Sequence, residues 1–90
     1  MDHDNFDKIL QLASVIPQED KTLLLTYTTG ERRAFDVSPY IKGSWFGELA
    51  NQEYFRLVQI EPTYREWVVW PHGQDIAPHE LYELSVVVDD

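Results

Sequence analysis

His72, Asp75 and His79 come nearest to metal chemistry in type and spacing. Two imidazoles and a carboxylate in one short segment offer nitrogen and oxygen donors that zinc or nickel would accept. They lack the two-histidine i, i+4 spacing of a helical zinc site. The plainer reading has Asp75 serving the amides of the following helix, with both imidazoles in solvent. Nucleophilic chemistry would need Ser38, which lies close to Asp36. No Gly-x-Ser-x-Gly elbow surrounds Ser38, and Ser38-Pro39 reads as a helix start: Ser accepts from an orphan amide, and Pro fits the first helical position. Gly30, Gly43, Gly47 and Gly73 are dispersed, and none opens a phosphate-cradling loop followed by Lys-Ser/Thr. The chain has no Cys, which excludes disulfides, Cys-ligated zinc and thiol nucleophiles. The expectation is a protein without catalytic residues or a cofactor.

The three Trp carry more. Trp67 and Trp70 lie three apart in one apolar run, so in a strand they point to opposite faces. One belongs to the core. The other faces outward with Tyr64 or Tyr82 nearby, unless short helices or the C-terminal tail cover both. Exposed Trp and Tyr are favoured anchors of protein interfaces. Trp67, Trp70, Tyr64 and Tyr82 are therefore the interface candidates.

Charge narrows the partner. Seven Lys and Arg against 16 Asp and Glu give a net charge of −9. Binding to a bare phosphate backbone draws its affinity from Lys and Arg clusters, so direct nucleic-acid binding is not expected. Arg32-Arg33 is too small a basic group to change that. A basic protein partner fits; an acidic surface that only keeps the chain soluble is the plain alternative. The acidic start Met1–Asp7 is no signal peptide, and no apolar run approaches the ~20 residues of a membrane span. A cytoplasmic location is expected.

The elements that must position these residues follow from periodicity. Residues 1–8 are polar and expected to be loose, ahead of a single domain over 9–85. A first strand runs from Ile9 to Ile16, ending at Pro17. Leu23, Leu25 and Tyr27 alternate with Leu24, Thr26 and Thr28 in a second strand, and Gly30 turns it into a third over Arg32–Val37. Ser38-Pro39 starts a helical turn, and Phe46, Leu49 and Ala50 share a face of a helical piece over Trp45–Asn51. Strands follow over Phe55–Glu61 and Glu66–Trp70. Pro71 and Gly73 make a type I turn. A helix then starts at Pro78, with Asp75 as its cap and Leu81 and Leu84 on its buried face. Val86–Val88 is a short β-prone tail closed by Asp89-Asp90, able to pair with a sheet edge in this chain or a second copy, so a homodimer is possible. The fold class is α+β: a small, mainly antiparallel five-stranded sheet with two or three short helices in a single layer on one face.

Gly30-Glu31, Phe35-Asp36-Val37, Leu49, Phe55 and Trp70-Pro71-His72-Gly73-Gln74-Asp75-Ile76-Ala77-Pro78-His79-Glu80-Leu81-Tyr82 together resemble a bacterial family known only as a domain of unknown function, numbered 2442. The resemblance covers roughly Val15 to Leu84. It implies a small α+β sheet domain with short helices. Some relatives carry this domain in front of a helix-turn-helix DNA-binding domain. Others stand alone and look like one half of toxin–antitoxin-type gene pairs. The resemblance transfers no catalytic residue. This chain ends soon after Tyr82, so a member without the DNA-binding half is expected. The expected function is a non-enzymatic protein-interaction module, an antitoxin-like partner of a small basic protein. A small-molecule or metal-sensing domain using His72, Asp75 and His79 is the alternative.

Overall fold

The computed structural model describes residues 10–88. Among them, two antiparallel sheets share one core. β1 (Leu12–Pro17), β2 (Thr22–Tyr27), β3 (Arg32–Asp36) and β7 (Val86–Val87) form the first, in the order β1-β2-β3-β7. β4 (Gln59–Ile60), β5 (Val68–Val69) and β6 (Asp75–Ile76) form the second, in chain order. Helices α1 (Gln52–Phe55) and α2 (Pro78–Glu83) and 3-10 turns at Ser38–Tyr40 and Phe46–Ala50 complete the described residues. The expectations for residues 1–8 and for Asp89-Asp90 lie outside the described residues.

The first sheet follows its period-2 pattern. Leu23, Leu25 and Tyr27 are buried, while Leu24 and Thr26 on the other face are half-exposed. Gly30 N–H donates to Tyr27 O at 2.8 Å, and Tyr27 N–H donates to Glu31 O at 2.9 Å. This is a three-residue hairpin loop closed by a residue in the left-handed region, and Gly30 takes that place at φ +97. The Val86–Val88 segment adds to its own chain: Val86 pairs with Ala34 and Val87 with Arg33.

The single five-stranded sheet is corrected to sheets of four and three strands. Local side-chain bonds explain much of the difference. Asn51 Oδ1 accepts from Tyr54 N–H, an N-cap that draws Gln52–Phe55 into α1 and cuts the expected Phe55–Glu61 strand to Gln59–Ile60. The Trp70–Gly73 turn does not lead straight to a helix. It folds the chain back as β6, pairing Val68 with Ile76 and Val69 with Asp75. Asp75 is therefore a strand residue, and α2 has Ala77 at its cap position with no side-chain cap among the described residues, helped by Pro78 in its first turn. Ser38 is likewise no cap: the cap position is Val37, and Asp36 Oδ1 accepts from Ser38 N–H at 2.9 Å. Leu84 does not share the buried face of Leu81. The helix ends at Glu83, leaving Leu84 64% exposed while Leu81 is fully buried.

The loop between β4 and β5 is tied to the edge of the first sheet at Leu12. Leu12 N–H donates to Arg65 O at 2.7 Å, and Arg65 Nη2 donates to Leu12 O at 3.1 Å. Leu23, Leu25 and Phe35 of the first sheet join Val68, Trp70 and Ile76 of the second in a common core. Leu49, Phe55 and Leu81 belong to it too.

Candidate functional site

Strand alternation separates the two Trp. Val68 and Trp70 point inward and are buried, and Trp70 Nε1–H donates to Phe55 O at 2.9 Å. That bond satisfies the indole, so Trp70 is a core residue. Trp67 and Val69 take the outward positions and are half-buried. The Tyr64 ring stacks on Trp67 with centroids 5.8 Å apart and planes 24° apart, and Tyr64 is 58% exposed. Gln59 and Asp75 flank Val69 in the sheet register, so the outward face has an aromatic-aliphatic centre and a polar edge.

The loop that carries Tyr64 is tightly held. Glu61 Oε1 accepts from the backbone amides of Thr63, Tyr64 and Arg65 at 3.0, 2.6 and 3.4 Å. Partial burial raises the Glu61 pKa, but these amides outweigh it and hold the carboxyl below its usual range. Arg65 sits at φ +61, which a non-glycine residue adopts only when its surroundings fix it. Here its N–H donates to Glu61 O, its carbonyl accepts from Leu12, and its guanidinium returns to Leu12. Gln11 Nε2 also donates to Tyr64 O.

The other end of β5 is built around Gln74, whose side chain is fully buried. Its Nε2 donates to Trp45 O at 2.8 Å and to Glu48 Oε1 at 2.7 Å, and its Oε1 accepts from Tyr54 O–H at 2.7 Å. His72 Nδ1 lies 2.9 Å from Glu48 Oε1, and the imidazole stacks on Tyr54 at 5.1 Å. His72 and Gln74 together hold the Glu48 carboxyl below its usual range. Trp45 Nε1–H donates to His72 O and leaves the indole 52% exposed.

His72 thus belongs to a hydrogen-bonded brace, Asp75 to an exposed strand position and His79 to an exposed position on α2. Among the described residues, no three His, Asp or Glu side chains come together to hold a metal ion. Tyr82 is held away from Trp67: its ring meets Tyr27 edge-on at 5.4 Å, Arg33 lies over it at 4.2 Å, and its O–H donates to Glu31. The sequence reading did not single out Gln74, Glu48, Tyr54 or Glu61. Gln74 had a usable signal: it is two residues before Ile76, so an inward Ile76 turns Gln74 inward as well.

The chain matches the family described as Protein of unknown function (DUF2442) over residues 12–86. It belongs to that family. The matched span of this DUF2442 chain takes in both helices and, but for Val87, both sheets. No curated protein and no solved structure matches it. Among its described residues, no helix is long and apolar enough to cross a membrane.

Proposed function

We propose that this chain is a non-enzymatic protein-interaction module and that the outward face of its second sheet, led by Tyr64 and Trp67, is the contact surface. The exposed Tyr64 ring, stacked on the half-buried Trp67 and carried by a loop whose amides are held by Glu61, carries this reading. Binding costs least when the anchoring groups are already ordered, and large aromatics at the centre of a patch contribute most of the affinity. Val69 extends the apolar centre, while Gln59 and Asp75 supply a polar rim. The net charge of −9 favours a basic partner by steering its approach. The setting we propose is a two-protein pair of antitoxin type, in which this chain covers a small basic protein.

Paired baits test this. The wild-type chain and a Tyr64→Ala/Trp67→Ala variant are used to capture partners from the native host. The expected result is a basic protein held by the wild type and lost by the variant. Equal capture by both baits, or no protein partner at all, contradicts the proposal.

A further inference from the structure

A second surface lies away from the Tyr64–Trp67 face. Phe35, Asp36, Pro39, Tyr40 and Leu84 line an open groove of about 350 Å³. It lies beside Phe35 and Asp36 because the chain, arriving from α2, first pairs with β3 at Ala34 and then runs on toward Arg32. The walls are mostly apolar, and Leu84 stands on the rim, 64% exposed. Tyr40 is fixed in place: its ring packs against Phe35 at 5.7 Å, and its O–H donates to Glu80 at 3.1 Å. The volume sits at the lower end of ligand sites, enough for one large side chain and part of its neighbour.

Three carboxylates stand at or near the lining residues. Asp36 is exposed at its edge, with Oδ1 taken by the Ser38 amide. Glu80 lies behind Tyr40, and Glu83 is exposed beside Leu84. None of the lining residues is basic. We infer that this groove takes an apolar side chain of a basic protein segment, with the neighbouring Lys or Arg of that segment meeting Asp36. The occupant is a protein segment because the cleft pairs an apolar slot with an adjacent carboxylate, the complement of a hydrophobic residue next to a cationic one. This site adds a second contact to the interaction reading and is tested separately from it.

Amide NMR titrations with three blocked dipeptides decide the matter: acetyl-Phe-Arg-amide, acetyl-Phe-Gln-amide and acetyl-Phe-Glu-amide. The expected shifts centre on the amides of Asp36, Tyr40 and Leu84. The Arg peptide should bind about fivefold to tenfold more tightly than the Glu peptide at low salt, the scale set by surface charge pairs. Asp36→Asn keeps an acceptor for Ser38 and should bring the Arg peptide to the level of the Gln peptide. Leu84→Ser, at an exposed position, should weaken all three. Shifts centred on Tyr64 and Trp67, equal binding of the Arg and Glu peptides, or unchanged binding by Leu84→Ser would each overturn the inference.

Discussion

The hairpin turns at Tyr27–Glu31 and Trp70–Gln74 have the same backbone but different surroundings. In each, an aromatic residue donates its N–H to a Glu or Gln carbonyl four positions on, and a glycine at φ +97 donates back to the aromatic carbonyl. In each, the Glu or Gln side chain accepts from a tyrosine hydroxyl: Tyr82 on Glu31, Tyr54 on Gln74. The first turn joins strands of six and five residues, and Glu31 also pairs with Arg33 near the surface. The second joins strands of two residues, and its Gln74 is wholly buried. A long ladder holds the first sheet by backbone bonds. The second has too little ladder, so Gln74, Trp70 and Glu61 fix its backbone with their side chains. That is the half that displays Tyr64 and Trp67.

Removing the amide at the second turn should therefore hurt most. Gln74→Ala leaves the partners of a fully buried amide unpaired and opens a cavity, and is expected to cost ~2–4 kcal/mol. Glu31→Ala at the first turn should cost less than half of that, because Glu31 is only partly buried. Urea unfolding of both variants checks the ratio. Equal losses would show that the second sheet does not depend on its side-chain brace.

Alkaline unfolding probes the first turn through Tyr27. Burial pushes the Tyr27 hydroxyl up from the usual 10.0 to about 12, against the pull of Arg33, and among the described residues its oxygen has no hydrogen-bond partner. A pKa raised by folding means the folded state keeps its proton more tightly. The stabilisation is complete below pH 10 and disappears between about pH 10 and 12, a loss of ~2–3 kcal/mol. Tyr27→Phe should flatten that part of the stability curve. At acid pH the sign reverses: the lowered carboxyls of Glu31, Glu48 and Glu61 stabilise the fold above the usual carboxylate range, and that support goes as pH falls through their folded values.

The shared geometry predicts a smaller, matched effect. Gly30→Ala and Gly73→Ala both force a side chain into the left-handed region, so each should cost ~1–2 kcal/mol. An added Cβ at Gly73 meets Trp45 at 3.5 Å, an ordinary contact, and at Gly30 it meets nothing. The two losses of unfolding free energy should then agree within ~0.5 kcal/mol.

The first turn was legible in the sequence because alternation and Gly30 state it in a few residues. Trp70-Pro71-His72-Gly73 was legible as a turn, but its return strand was not. Asp75-Ile76 is too short to show a period, and Ala77-Pro78 announces the next helix at once. Phe55 looked like a strand residue because the cap that makes it helical is one side-chain bond from Asn51. The opposite facing of Trp67 and Trp70 followed from spacing alone. The loop that fixes Tyr64 did not, since it depends on Glu61 reaching three amides and on Arg65 meeting Leu12 across the chain.

The smallest expected effect on stability accompanies the largest on function. Tyr64 is exposed, so Tyr64→Ala should cost only ~0.5 kcal/mol of folding energy. The deciding measurement is a calorimetric titration of the purified partner into the wild-type chain and into the Tyr64→Ala/Trp67→Ala variant, with melting curves of both. The expected result is about a hundredfold weaker binding by the variant, the scale of an interface hot spot, from a chain that still folds. Binding equal to wild type by a folded variant would contradict it.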